Sequence, residues 1–213
     1  GAPVSFSLGA IACAFGILVG IVFGVISAIN RGRFPDYLVI ILSILCVSVP
    51  AFVFASLFQY AFGAKLQWLP VAGWKGPVYM VLPCLALGLR LIAYVARMMR
   101  TSMLDVLGQD YIMTARAKGL TSGQVIRRHT IRNAIMPVVS VAGSMIAGTL
   151  VGSFVIENIF NIPGMGKYLV DAVTDNDYTV VLGMTTFYAL VLVVITFIVD
   201  ILYVVIDRRV KLD

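Results

Sequence analysis

Charge is what this 213-residue chain has least of: Asp, Glu, Lys and Arg make up 12% of it against 61% hydrophobic residues, with a mean hydropathy of +1.00. Soluble domains carry charged residues at roughly a quarter of their length, so a water-soluble fold is excluded. Histidine is scarcer still. His129 stands alone, which leaves a histidine-based metal site or proton relay almost nothing to work with. The three cysteines, Cys13, Cys46 and Cys84, sit in apolar runs without CxxC spacing; they read as small packing residues, not as a disulfide or metal framework. Alternating apolar and polar strands, the mark of a membrane barrel, do not recur. No His, Cys or paired-carboxylate constellation faces one pocket, so no catalytic residue, metal or cofactor is assigned. A net charge of +6 would suggest nucleic acid for a soluble protein. Here the basic residues gather at the ends of apolar runs, which is the membrane pattern, and nucleic acid is not implied.

What is present is a series of charge-free runs. Residues 1–30, 37–64, 133–156 and 178–199 contain no Asp, Glu, Lys or Arg, and each exceeds the roughly 20 residues that cross a hydrocarbon core. A fifth run, Val78 to Leu89, continues through Arg90 to Ala96 at similar apolar density. The expected fold is all-α: a polytopic transmembrane helical bundle with five spans near 7–29, 38–62, 78–98, 134–156 and 178–206. Pro50 and Pro83 fall within spans and predict kinks. Gly143, Gly148 and Gly152, with Ser140, Ser144 and Thr149, suit close helix packing or a polar pore lining.

Orientation follows from the basic residues. With the C-terminus cytoplasmic and Arg90 counted with that side, thirteen of the sixteen Lys and Arg lie inside, and only Lys65, Lys75 and Lys167 lie outside; the opposite orientation reverses the ratio. The outer loops are then about 63–77 and 157–177, and residue 1 starts outside. An outside start needs an upstream helix or a cleaved signal, and Gly1-Ala2-Pro3 is no signal peptide. The chain is therefore expected to be the C-terminal part of a longer protein.

One loop breaks the apolar pattern. Between Arg97 and Arg132 lie seven Lys or Arg and two Asp, a polar, helix-prone island that must face water on the cytoplasmic side. Thr101 to Lys118 is rich in helix formers and predicts a helix. Gly119 supplies its stop, with Arg116 and Lys118 well placed in the last turn. Thr121 and Gln124 have capping-box spacing, predicting a second helix from Ser122 to about Asn133. Tyr111, Met113 (or Thr114), Ala115 and Leu120 form a small-residue and aromatic knob near the turn, ringed by Arg116, Lys118, Arg127 and Arg128. Such a knob fits a groove on a peripheral protein. A solvated loop whose basic residues merely obey the positive-inside rule is the plain alternative. On the other side, Gly164-Met165-Gly166-Lys167-Tyr168 imitates a phosphate loop but has Asn161 at the leading glycine position and no Ser or Thr after Lys167. A turn followed by a short amphipathic helix over Lys167 to Val173 is expected instead. Of the intramembrane ionisable groups, Arg90 and Asp200 stand out; they are read as pairing across the bundle or snorkelling to the headgroups.

The segments Gln109-Asp110-Tyr111-Ile112-Met113-Thr114-Ala115-Arg116-Ala117-Lys118-Gly119-Leu120 and Arg128-His129-Thr130-Ile131-Arg132-Asn133-Ala134-Ile135-Met136-Pro137 resemble the signature loop of ABC importer permeases. More narrowly they are similar to the oligopeptide/dipeptide/nickel branch, and within it to the first of the two paired permeases. Val47-Ser48-Val49-Pro50, Trp68-Leu69-Pro70, Glu157 to Gly166, Asp177-Tyr178 and Val199-Asp200-Ile201-Leu202-Tyr203 add to the resemblance, which covers nearly the whole chain in the family's order. Met113-Thr114-Ala115 stands where the broad importer motif has Glu-Ala-Ala, and Arg132 where that motif often has proline; peptide-type members share this variant.

The resemblance implies a permease domain over 1–213, preceded by an N-terminal helix and an extracytoplasmic segment, in a prokaryotic inner membrane. It implies four kinds of protein partner or neighbour: a second homologous permease, two cytoplasmic ABC ATPases that hydrolyse the ATP, an extracytoplasmic substrate-binding protein, and membrane lipid around them. Within the cytoplasmic loop at about 99–133, Asp110, Tyr111, Thr114, Ala115, Arg116, Ala117, Lys118, Gly119 and Leu120 would couple to an ATPase. Glu157, Pro163, Gly164 and Gly166 would form an outer gate or meet the binding protein. Peptides are the implied cargo, and an ATP-independent secondary transporter or channel is the alternative.

Overall fold

The computed structural model describes residues 1–151 and 154–206, and within its helices the side chains of 142–144, 147, 150, 151, 199, 200 and 202–206 fall outside the description. Every regular element among the described residues is helical. The chain runs α1 (Ala2–Ile29), α2 (Phe34–Ser48), α3 (Ala51–Phe58), α4 (Val81–Leu107), α5 (Asp110–Ala117), α6 (Ser122–Val125), α7 (Ile131–Ala134), α8 (Met136–Val151), α9 (Phe154–Ile159), α10 (Met165–Thr174) and α11 (Tyr178–Ile206).

Ala2–Ile29, Pro77–Leu107 and Tyr178–Ile198 are long and apolar enough to cross a membrane, with α2 plus Ala51–Lys65 a fourth if that broken pair is one span. The expectation of one helix over 38–62 is corrected. The helix stops at Ser48 and restarts after Pro50, which takes φ −59° and ψ 144°. Proline offers no N–H to the preceding turn and pushes the residue before it out of helical space. Pro83 does not kink its helix. It falls in the first turn of α4, where the missing N–H costs little because first-turn amides have no intrahelical partner. Of the expected fourth span, 134–156, the described residues form α8 and α9, and residues 152 and 153 fall outside the description.

Contacts gather the chain into two compact units, one of Gly1–Phe15, Val49–Leu89 and the described residues from Gly143 onward, the other of Gly16–Ser48 and Arg90–Ala142. The first unit packs around Leu8, Ala12, Ala55, Leu82, Phe160 and Ile162. After α3 the backbone widens into a π-helix, Gln59–Lys65, as often happens at positions that serve a purpose other than span-building. Gln59 uses the reorientation: its Nε2 donates to the carbonyls of Val71 at 3.1 Å and Ile159 at 2.9 Å. The Gly73 amide donates to the Phe160 carbonyl at 2.8 Å. Segments read as separate outer loops, 63–77 and 157–177, are thus stitched together by hydrogen bonds, beside a row of rings, Phe54, Phe58, Phe62 and Trp68, spaced 5.9–6.0 Å apart.

The second unit depends on close helix approach. Gly20 and Gly24 of α1 face Val95 and Met99 of α4. A Cβ placed on Gly24 would sit 2.6 Å from the Met99 Cβ and 2.7 Å from the Ala96 carbonyl oxygen. Ala28, four residues on, is buried too. Small residues at four-residue spacing let two apolar helices touch backbone to side chain. The Gly148 expected to do this has nothing within 4 Å of its would-be Cβ among the described residues, while Gly143, Ser144 and Gly152 lie outside the described side chains. Gly24→Leu is expected to lower the stability of the purified permease by about 3 kcal/mol or more through overpacking, read as a fall in Tm in detergent, with Gly148→Leu close to neutral.

Candidate functional site

The polar island folds as a small hairpin of its own. α4 ends at Leu107, and Gly108-Gln109 separates it from α5, so the helix expected over 101–118 is two helices. α5 closes on Gly119, whose φ of +84° needs no Cβ. The amides of Lys118, Gly119 and Leu120 return to the carbonyls of Thr114, Arg116 and Ala115, satisfying the last turn. Thr121 then caps α6 with the expected box: Gln124 N donates to Thr121 Oγ1 at 3.4 Å, and Thr121 N to Gln124 Oε1 at 3.0 Å. The second helix starts at Ser122 as expected but passes through a π-helical turn at Ile126–Thr130, where buried Thr130 donates to the Val125 carbonyl five residues back.

Ile112, Ala115 and Val125 make the hairpin's core, with Val106 and Leu120 against it. Ala115 is therefore an internal packing residue, 7% exposed. Asp110, Tyr111, Thr114, Arg116, Ala117, Lys118 and Gly119 are all exposed, and Met113, at 69%, is more exposed than Tyr111 at 42%. Tyr111 is steadied by Asn133, whose Nδ2 donates to its hydroxyl at 3.2 Å. Two uncovered apolar side chains on an otherwise hydrophilic, self-supporting hairpin mark a contact surface.

Behind the hairpin, in the same unit, lies a feature the sequence reading missed. Arg100 donates to Asp36 through Nε at 2.6 Å and Nη2 at 2.8 Å. The remaining acceptor positions of Asp36 take the Ser27 hydroxyl on Oδ1 and the Gly32 amide, at 2.9 Å, on Oδ2. Four donors from α1, the following turn and α4 thus converge on one carboxylate that is 2% exposed. Gly32 presents its amide from a left-handed conformation, φ +73°. A charge count treats Asp36 and Arg100 as span-end residues; only the Gly20, Gly24, Ala28 spacing that brings α1 against α4 hints that they meet.

The motif from Glu157 to Gly166 lies in the first unit. Glu157 is fully buried, and its Oε2 accepts the Gly166 amide at 2.7 Å. Ser5 Oγ accepts the Met165 amide at 2.8 Å. The first amides of α10 are thus taken by side chains, so nothing there can cradle a phosphate. α10 itself, Met165–Thr174, is the short helix expected over 167–173. A Cβ on Gly164 would collide with the Glu157 carboxylate and Ser5, and one on Gly166 with Phe154. Asn161, φ +49°, completes the turn, its Oδ1 accepting from Lys167 Nζ at 2.6 Å. Of the four residues expected to gate or to touch a binding protein, only Pro163 is exposed; Glu157, Gly164 and Gly166 are inside. Arg90 is exposed on α4, and the Asp200 side chain lies outside the described residues.

Residues 20–212 match the family described as binding-protein-dependent transport system inner membrane component. The dipeptide transport system permease protein DppB of Bacillus subtilis is 47% identical over 212 residues, covering 100% of this chain and 69% of that protein. The oligopeptide transport system permease protein OppB of Escherichia coli is 40% identical over 211 residues, covering 98% of this chain and 69% of that protein. Among solved structures, an inward-facing crystal form of the MetNI methionine ABC transporter superposes with a TM-score of 0.77 over 97% of this chain and 94% of its own, at 16% identity. An amino acid ABC transporter crystallised with histidines gives 0.71 over 99% and 92%, at 18% identity; likeness at such identities speaks for the fold. The architecture is that of the membrane-embedded half of an ABC importer. This chain belongs to the binding-protein-dependent transport family and is a multi-pass inner-membrane permease subunit of an ABC importer, in which ATP hydrolysis lies on separate subunits.

Two expectations follow from this geometry. Asp36→Asn or Arg100→Gln alone is expected to cost about 3 kcal/mol by stranding a buried charge. The Asp36→Leu/Arg100→Met double variant should cost less than the sum of the single ones, as measured in a thermal-denaturation cycle. At the other motif, Gly166→Ala is expected to lower Tm clearly, whereas exposed Pro163→Ala stays within about 0.5 kcal/mol of the parent.

Proposed function

We propose that this chain is a translocation subunit for peptides, pairing with a second homologous permease and docking the hairpin centred on Asp110–Leu120 into one of two cytoplasmic ATPases. The C-terminus and the hairpin face the cytoplasm, on the distribution of thirteen inner against three outer basic residues. An extracytoplasmic binding protein delivers cargo on the opposite side. Peptides are favoured as cargo because the relatives at 38–47% identity carry dipeptide, oligopeptide or peptide in their names.

The observation that carries the docking reading is the exposed pair Tyr111 and Met113 on a helix braced by its own core. A lever has to be stiff to transmit a shift between two packed states. Ile112, Ala115 and Val125 inside, the glycine stop and the capping box supply that stiffness. Arg116 and Lys118 would set the register through charge. Glu157, Gly164 and Gly166 would serve the outer gate as an internal brace, leaving Pro163 as the member that a binding protein can touch. No observation favours ATP-independent transport.

The test is reconstitution of the full-length chain with its partner permease, ATPases and binding protein in liposomes. Met113→Asp is expected to weaken ATPase copurification about tenfold, the loss of one good apolar anchor, with the permease's own Tm unchanged. Gly119→Val, which forces a β-branched residue into left-handed space at about 1–2 kcal/mol, should lower peptide-stimulated ATP hydrolysis. Wild-type coupling in both variants would sink the docking assignment.

A further inference from the structure

α4 carries a stripe unlike the rest of its surface. Arg90, Tyr94, Arg97, Thr101 and Asp105 fall within about 80° of one another at 3.6 residues per turn, and all five are exposed or half-buried. The opposite side is buried: Val95, Ala96, Met99 and Met103 are each under 2% exposed. The helical run that bears the stripe is of membrane-crossing length and composition, Pro77–Leu107. Arg90 sits about 20 Å from its start and about 25 Å from its end, inside a hydrocarbon core about 30 Å thick wherever along the run that core begins.

A guanidinium keeps its charge in any protein environment, and one on a membrane-length helix faces a polar interior or a water-filled cavity, not acyl chains. Neither Arg90 nor Arg97 has an acidic partner among the described residues; the ion pair recorded there is Arg100 with Asp36. Arg100 shows the contrast well: only about 60° around α4 from Arg97, it is bound up in the ion pair with Asp36. Beside the stripe lies an open cavity of about 420 Å³, lined by Tyr94, Arg97, Met98, Thr101 and Asp105 of α4 with Pro137 of α8. Arg97 and Asp105 stand toward opposite ends of its α4 wall, and Arg90 lies about 10 Å beyond Arg97 on the same face, outside the lining; the arginine end calls for an anionic visitor.

We propose that Arg90 and Arg97 line the water-filled translocation path and hold, one after the other, the carboxylate end of the passing peptide, with the Tyr94 ring between the two positions. This rests on the peptide reading above. Two weak sites about 10 Å apart suit passage better than one tight site, because a cargo that binds too well does not leave. Asp105, eight residues beyond Arg97, ends the cationic stretch and leaves the carboxylate no third site.

The test uses the full-length permease in its native complex, in inverted membrane vesicles without nucleotide and without binding protein. Tyr94→Cys places a thiol one turn from each arginine. A negatively charged methanethiosulfonate is expected to label it about tenfold faster than a positively charged one, and Arg97→Gln to cut that preference about threefold, since nearby fixed charge concentrates counter-ions. A tripeptide with a free carboxylate should slow the labelling, and its C-terminal amide should not. Met98→Cys, on the same cavity, serves if Tyr94→Cys does not assemble, and the parent chain with Cys13, Cys46 and Cys84 sets the background. No labelling by either reagent, a preference untouched by Arg97→Gln, or equal protection by acid and amide would overturn the proposal. ATP-driven peptide uptake by the wild-type complex, measured alongside, reports on the proposed function independently of these labelling rates.

Discussion

Asp36 meets four donors: two from Arg100, one from Ser27 and one from the Gly32 amide. Much of the second unit is arranged so that this can happen. A buried carboxylate without partners would be expelled or protonated, because the loss of hydration exceeds what apolar packing around it can return. For the four donors to converge, α1 must lie against α4 closely enough to align Ser27 with Arg100. Gly20 and Gly24 make that approach possible by presenting backbone to Val95 and Met99. The left-handed Gly32 then turns the chain so that α2 begins with its carboxylate pointing back. Packing and charge are thus one arrangement, and neither part would persist without the other.

The first unit solves the same problem with uncharged donors. Glu157 is buried, yet it holds the Gly166 amide, and Ser5 holds Met165. Gln59 reaches two carbonyls from a π-helical turn. In each case a polar side chain closes a backbone group that a loop would otherwise leave open. Loops handled this way behave as packed elements. A motif with the look of a surface contact, Glu157 to Gly166, is largely interior, and what it offers outward is the shape of the turn with Asn158, Asn161 and Pro163.

Where the polar groups are left uncommitted, function is the better reading. The hairpin from Asp110 to Asn133 spends its apolar residues on a core of three and still leaves Tyr111 and Met113 in the open. The exposed side of α4 leaves Arg90 and Arg97 without acidic partners among the described residues, whereas Arg100, only three residues on, is engaged by Asp36. Structural and working charges on the same helix are told apart by whether a partner from another element reaches them, as Asp36 reaches Arg100.

The all-helical membrane class was legible in composition, since a chain with so few charges has to satisfy its backbone by helices in lipid. The capping box at Thr121 and Gln124, the stop at Gly119 and the short helix after Gly166 were legible as well, because they depend on neighbours within four residues. The break at Pro50 was foreseen as a kink only, and Pro83 was misjudged, since a proline's effect depends on how far into the helix it falls. Buried Ala115, Glu157, Gly164 and Gly166 could not be placed from the sequence, which records a residue's type and not its inward or outward aspect. Nor could the meeting of Asp36 with Arg100, 64 positions apart. Sequence by itself determined the membrane class, the family and the local caps, which follow from solvation and short-range hydrogen bonding. Tertiary structure alone decided which charges are satisfied and which face open space, because only the packing of one helix on another brings distant donors to a single acceptor.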